Sequence, residues 1–280
     1  MRDLAIVMPT RDRPEIVRRN LHRTRRHFPD TPIYVFDDAS ADVAAIEAAV
    51  TAVGNCHLMR SPSPIGPAGG RRRLIEAAKA RWCLAIDDDC YPSATFDPSR
   101  WLAMEPGLDD PIVVSFRNYR TYDGDIAPPG NLSVGPARTL TGGASLLHRA
   151  SVMRIGSYNE SFVFGGEDTD LARRVWASGR QLWIDPDNFI IHEHVAGGRD
   201  ARREAFYYTR NRVLLNVLSL PVWYGLPLGL ASAVRRWITQ PNRWHGFLGI
   251  AAGLIAAVQH FEQRRPLSVR QFRRLERLPA

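Results

Sequence analysis

The hydrophobic positions first fall into short unbroken runs. Leu4–Met8 (LAIVM) reads as a strand closed by Pro9, and Ile33–Phe36 (IYVF) as a second that ends in Asp37-Asp38. His57–Arg60 is a short third, Trp82–Ile86 (WCLAI) runs into Asp87-Asp88-Asp89, and Ile112–Phe116 (IVVSF) follows. Between them Pro14–His27 spaces apolar residues among arginines like an exposed helix. Asp42–Val53 is an alanine-rich helix and Arg71–Arg81 another. Unbroken apolar runs mark strands buried on both faces. Strands alternating with helices predict an α/β fold, an open and mostly parallel doubly wound sheet flanked by helices.

From about residue 120 the pattern loosens. The polar stretch YDGDIAPPGNLSVGP (122–136) reads as a long loop and a candidate lid. Leu140-Thr141-Gly142-Gly143 and the apolar SLLHR come next, then a helix over Asp168–Ser178 and strands at Gln181–Ile184 and Phe189–His192. The C-terminal part differs. Val213–Val234 carries no charge but contains Pro221, Gly225, Pro227 and Gly229, and Gly246–Val258 is a second apolar run. The chain of 280 residues therefore divides into a body, 1–198, and a helical appendage, 199–280.

Composition narrows the class. Hydrophobic residues at 45% and charged residues at 24% exclude a disordered or collagen-like chain. Three cysteines, Cys56, Cys83 and Cys90, form no C-x-x-C pair and an odd set, which fits a reducing, cytoplasmic compartment. The N-terminal apolar run is short enough to be a buried strand rather than a signal peptide. Charge is segregated. Residues 1–198 hold 23 Lys+Arg against 25 Asp+Glu, and residues 199–280 hold 14 Arg against 4 acids. The appendage thus suits an anionic partner. An acidic body without a nucleic-acid motif argues against nucleic acid. Val213–Val234 is long enough by count to cross a bilayer. Three placements stay open for it: lying at or re-entering a membrane interface, packing on the body, and spanning. Trp223, Trp237 and Trp244 beside arginines resemble interfacial anchors, and a peripheral site at the inner face of the cell membrane follows from the first placement.

Ligands of open α/β sheets bind beyond the carboxyl ends of the strands. Two acidic clusters fall there, Asp37-Asp38 and Asp87-Asp88-Asp89. Consecutive carboxylates at a strand end call for a cation, and Mg²⁺ or Mn²⁺ bridging to phosphates is the natural one. The loop Ile65–Arg73 (IGPAGGRRR) leads towards a helix with glycines and arginines suited to phosphate, without matching a dinucleotide fingerprint or a P-loop. Gly165-Gly166-Glu167-Asp168 opens a helix, and Asp168 there suits a general base. His192 and His194 share one face of an extended chain, and either suits an oxygen-rich metal site.

In this order VMPTRDRPE, VFDDAS, GPAGGRRR, LAIDDDCYP, LTGGASLLHR, IGSYNESFVFGGEDTDLARRV and FIIHEH resemble the glycosyltransferase family 2 nucleotide-sugar transferases, over about residues 4–195. The GGEDTDL segment with GSYNESF is the most specific part. The resemblance implies the GT-A fold and a hexosyl- or deoxyhexosyltransferase, the rhamnosyltransferase-like subgroup included. It implies a donor pocket at Pro9 and Thr10, with Asp38 and Asp37 at the base and Arg71 near the ribose or diphosphate. Asp87 and Asp89 would form the DxD around Asp88, and Gly142 and Gly143 the floor between donor and acceptor. Asp168 would be the catalytic base with Glu167 at the acceptor. His192, which ends FIIH, would join Asp89 and Asp87 at Mn²⁺ or Mg²⁺. The donor implied is a nucleoside-diphosphate sugar, UDP- or dTDP-linked, and the acceptor a saccharide, a lipid-linked species or a small molecule. The chain departs from the family's usual residues at Arg72 and at Arg11-Asp12. Two other readings compete: a nucleotidyltransferase, which would release pyrophosphate without needing Asp168, and a non-catalytic, membrane-anchored sugar- or nucleotide-binding module.

Overall fold

The computed structural model describes residues 3–121, 133–193 and 200–279. The expected lid falls largely in 122–132, and His194 too lies outside the described residues.

The strands are β1 (Leu4–Thr10), β2 (Ile33–Asp37), β3 (Cys56–Arg60), β4 (Trp82–Ile86), β5 (Cys90–Pro92), β6 (Pro111–Thr121), β7 (Gly135–Pro136), β8 (Ala144–His148) and β9 (Gln181–Glu193). The helices are α1 (Pro14–His27), α2 (Val43–Thr51), α3 (Gly66–Ala77), α4 (Ser99–Leu102), α5 (Arg149–Arg154), α6 (Glu167–Ala177), α7 (Ala201–Ser219), α8 (Val222–Thr239), α9 (Arg243–Gln259) and α10 (Val269–Leu275). Among the described residues one sheet forms in the order β3-β2-β1-β4-β8-β6-β9-β5, with β7 also beside β9. β3, β2, β1, β4, β6 and β9 share one direction; β8, β5 and β7 run against it. The sheet is thus mostly parallel with antiparallel insertions.

Alternation along β1 explains its apolar run. Leu4, Ile6 and Met8 join Val17 and Leu21 of α1 and Ile46 of α2 on one face. Ala5 and Val7 join Leu74 and Ile75 of α3 and Leu171 of α6 on the other. Pro14 starts α1 where its missing N–H is no loss, and the Asp42 carboxylate accepts from Ala45 N at 2.9 Å to start α2.

Two sequence expectations change. The Gly-rich stretch 66–70 is no loop before a helix but the first turns of α3 itself. Gly and Pro lower helix propensity, yet here packing decides. A Cβ on Gly70 would lie 3.0 Å from Phe36 and 3.5 Å from Pro9, so its bareness lets α3 sit close on the sheet. The two expected strands 181–184 and 189–192 are one strand, β9, whose register against β6 shifts between Phe116 and Arg117. That irregularity accommodates Pro186, and the buried Asp185 there accepts from Trp101 Nε1 at 2.7 Å.

The uncharged run 213–234 is not one helix. The extended Leu220 and Pro221 break it into α7 and α8. Among the described residues no helix is long and apolar enough to cross a membrane, so the spanning placement falls. Instead α7 packs on the body. Phe162 shares a core with Val213, Leu214 and Val217. Arg173 of α6 donates to Asn216 Oδ1 at 3.1 Å and to Ser219 Oγ at 2.8 Å, which uses the polar residues inside that run.

Candidate active site

A cleft of about 760 Å³ opens at the carboxyl ends of β1, β2 and β4. Its walls include Pro9, Thr10, Asp38, Arg71, Asp87, Asp88, Asp89, Glu167 and His192, so most of the residues expected from the sequence converge there. Asp37 does not line it. That side chain is buried, accepting from Arg60 Nη1 at 2.8 Å and Ser40 N at 2.9 Å, and so it braces the end of β2. Asp38 accepts from the backbone N–H groups of Ile65 and Gly66 at 2.7 and 3.0 Å and ties β2 to the start of α3.

The three aspartates after β4 point to different partners. Asp87 Oδ1 accepts from Arg71 Nη2 at 2.5 Å. Asp88 accepts from Thr10 Oγ1 at 2.7 Å and from Arg13 Nη1 at 3.2 Å. Burial pushes its carboxyl up to about 7, although Arg13 and Thr10 oppose the rise. Asp89 lies 3.2 Å from the same Arg13 nitrogen and 3.3 Å from His192 Nε2. Burial would raise its pKa, but His192 and Arg13 outweigh that and hold it below the usual carboxylate value. Asp89, Cys90 and His192 bring their ligand atoms within 4.8 Å of one another, because Cys90 and His192 are paired across β5 and β9. A carboxylate and an imidazole side by side, with a guanidinium already drawn to the carboxylate, fit a divalent cation. Asp87 faces Arg71 rather than this pair.

Arg71 is the hub of the other half. Its buried guanidinium also reaches Glu167 Oε1 at 3.3 Å and lies 3.9 Å from Asp168 Oδ1. Burial disfavours its charge, but Asp87 and Asp168 more than restore it, so it stays protonated. Asp168 is anchored by one oxygen only: Oδ2 accepts from Gly142 N at 3.0 Å, while Oδ1 has no hydrogen-bond partner. Glu167 Oε2 is likewise unpartnered. Desolvation first, then the neighbouring Glu167, push the Asp168 carboxyl up to about 7, with Arg71 opposing. Gly142 and Gly143 are required by close approach. A Cβ on either would stand 2.6 Å from a carboxylate oxygen, of Asp168 and Asp87 respectively. They sit behind these carboxylates, and neither they nor Asp168 are among the described residues of the cleft wall.

Asp168 is aimed by the turn before α6. Gly165 and Gly166 have φ of +77° and +90°, conformations that L side chains rarely adopt. Asn211 of α7 donates to the carbonyls of Phe164 and Gly165 at 2.9 and 2.6 Å and fixes this turn. Tyr208 packs so close that a Cβ on Gly165 would lie 2.4 Å from its ring. Together with Asp200, Arg203 and Glu204, Tyr208 forms a cleft wall that the sequence reading did not foresee. Arg13 was also missed, although its place just after the carboxyl end of β1 was a usable signal. Nothing in the local sequence marks Tyr208. Arg72 pairs with Glu76 at 2.9 Å and Glu160 at 3.6 Å, away from the cleft.

The model of the family described as "Glycosyl transferase family 2" matches residues 5–197. The chain belongs to glycosyl transferase family 2. Solved structures share its fold at low identity. GalNAc-T7 with UDP, GalNAc and Mn²⁺ is 14% identical over 94% of this chain, with a TM-score of 0.64; this chain spans 58% of its length. The mannosyltransferase PcManGT of Pyrobaculum calidifontis with GDP-Man and Mn²⁺ is 13% identical, over 92% of this chain and 86% of that one, at 0.58. S. aureus TarS 1-349 with UDP-GlcNAc is 13% identical, over 94% and 74%, at 0.56. The likeness extends through the C-terminal helices, beyond the family match.

Proposed function

We propose that this family-2 glycosyltransferase moves a sugar from a nucleoside diphosphate, UDP- or dTDP-linked, to an acceptor hydroxyl by direct displacement, in the cytoplasm. The observation that carries the reading is Asp168 at the start of α6, next to the cleft-lining Glu167 and Arg71, with Oδ2 held by the Gly142 N–H and 29% of the side chain still exposed. A carboxylate held this way accepts the acceptor's proton as its oxygen bonds to the anomeric carbon. The bond from that carbon to the diphosphate oxygen breaks, and its electron pair leaves with the diphosphate. Attack opposite the leaving group inverts the anomeric configuration, and no sugar becomes attached to the protein. Glu167, which lines the cleft, holds a second acceptor hydroxyl. Arg71 keeps Glu167 and Asp87 in place and meets the diphosphate side of the donor, while Asp38 and Thr10 face the nucleoside.

Asp89 and His192 are the residues that hold a divalent cation in this reading, with Asp87 turned to Arg71 instead. Mn²⁺ suits a set containing an imidazole better than Mg²⁺ does. Bound there, it supplies positive charge against the leaving diphosphate. Arg13, which contacts Asp88 and Asp89 and lines the cleft, would meet the donor's phosphates there. The related structures hold UDP, UDP-GlcNAc or GDP-Man, two of them with Mn²⁺, which supports donor and metal class alike.

The test is thermal stability with a panel of nucleoside diphosphates and nucleotide-sugars, each with Mn²⁺ or EDTA, on wild type and Asp89→Ala. A ligand bound only by the native state raises stability by mass action, by about 2.7 kcal/mol at a hundredfold excess over Kd. One nucleotide class should stabilise the wild type with Mn²⁺ and fail with EDTA or in the variant. Equal stabilisation in all conditions would remove the metal from the reading, and none at all would remove the donor.

A further inference from the structure

Helix α9 is built inside out. Its buried stripe is Gly246, Gly249, Gly253, Ala256 and Ala257, and its outward stripe is Trp244, Phe247, Leu248, Leu254, Ile255 and Val258. The small residues let it lie close on α7: a Cβ on Gly249 would meet the Phe206 carbonyl oxygen at 2.5 Å, and one on Gly253 that of Arg210 at 2.7 Å. The large apolar residues are left outside, with Val258 77% and Trp244 66% exposed. On α8 Trp223, Val234 and Ile238 are exposed as well. Among the described residues every exposed large hydrophobic except Leu108 belongs to the span 222–261. A patch of this kind is a place where something docks.

Charge says what docks. From residue 205 to residue 261 the chain has no Asp or Glu, and it carries Arg210, Arg212, Arg235, Arg236 and Arg243. Arg212 is close enough to Arg235 and Arg236 that, after burial, their charges depress its pKa. Arg235 and Arg243 are exposed beside the apolar stripe, and Trp244 stacks on Phe247 with ring centroids 6.0 Å apart. An exposed Trp244 beside Arg243, in a stretch of chain with no acid of its own although Asp200 faces His245, suits the headgroup region of an anionic bilayer. A second copy docking through the same face would set these arginines against their own counterparts.

We infer that the outer face of α8 and α9 is a docking surface for an anionic lipid bilayer. Helix α8 also reaches a residue of the cleft wall. The Arg236 guanidinium lies over the Tyr208 ring, 5.5 Å from its centroid, and Tyr208 is cleft wall. The surface itself does not depend on the transfer reaction.

The test is co-sedimentation of the full chain with vesicles of phosphatidylcholine, with and without phosphatidylglycerol. Wild type should partition at least tenfold better onto the anionic vesicles. Trp244→Ser with Phe247→Ser, and separately Arg235→Glu with Arg243→Glu, should each lose at least tenfold, with circular dichroism unchanged. Asp168→Asn should bind vesicles like wild type, which separates docking from catalysis. Brominated acyl chains should quench part of the wild-type tryptophan fluorescence, a readout that needs no variant. Equal binding to neutral vesicles, no quenching, or a wild-type dimer in sedimentation equilibrium that the tryptophan variant dissolves would each overturn the inference, the last by making the face an interface between copies.

Discussion

Arg71→Met asks how much the buried guanidinium holds together. Arg71 is the counter-ion of Asp87 at 2.5 Å, Glu167 at 3.3 Å and Asp168 at 3.9 Å. Methionine keeps most of the stem volume and the helix propensity of α3, so the change removes charge rather than packing. Breaking a buried ion pair from one side costs about 3–5 kcal/mol, because a buried charge is left uncompensated. Asp87 and Asp168 retain 35% and 29% of their side-chain exposure, so water screens part of this and the lower end, about 3 kcal/mol, applies. At about 2.1 cal/mol/K of unfolding entropy per residue, a chain of 280 residues should lose about 5 °C in Tm. The pH dependence has a definite sign. Burial already raises the pKa of Glu167 and of Asp168, and losing Arg71 raises both further. At low pH they take up protons and the uncompensated charge disappears. The loss should therefore be small near pH 5 and full near pH 8, read by thermal denaturation at both. A loss equal at the two pH values, or absent at pH 8, would refute the view of Arg71 as an electrostatic hub.

Asp168 works as a base only when ionised, so transfer should rise with pH through about 7 and level above it. Asp168→Asn should lower kcat by on the order of 10²–10⁴ above pH 7 and abolish that limb, so that the gap narrows as pH falls, checked by a pH profile of kcat. Gly143→Ala places a methyl 2.6 Å from Asp87 Oδ2 and should cost about 1–3 kcal/mol, as overpacking does, in a denaturant midpoint. Asn211→Leu removes both hydrogen bonds to the Gly165 turn and should lower kcat more than it raises KM, since it misplaces Asp168 rather than the donor.

The central strands β1 and β4 were legible because burial on both faces leaves no polar alternation to misread, and Trp82–Ile86 and Pro14–His27 have the ends expected of them. The acidic strand end and the Gly165-Gly166 turn were legible because each needs residue types that few other environments tolerate. Three features were not. The helix over Gly66–Ala77 is dictated by contact with Phe36 and Pro9, which lie far away in the chain. Asp37 and Asp38 look alike in sequence, and only the pleat sends one to Arg60 and the other to the cleft. The C-terminal run read as membrane-like because its apolar count is high. Count alone does not reveal that Leu220 and Pro221 break it, or that α7 turns Tyr208 and Asn211 towards the site.

The most direct test of the central claim is a real-time proton NMR assay of the full chain with a UDP- or dTDP-sugar and Mn²⁺, reading both the nucleotide released and the anomeric configuration of the first product. Release of nucleoside diphosphate with inverted configuration, lost in Asp168→Asn and with EDTA, is the predicted result. Retained configuration, release of pyrophosphate from a nucleoside triphosphate instead, or an Asp168→Asn variant as fast as wild type would contradict it.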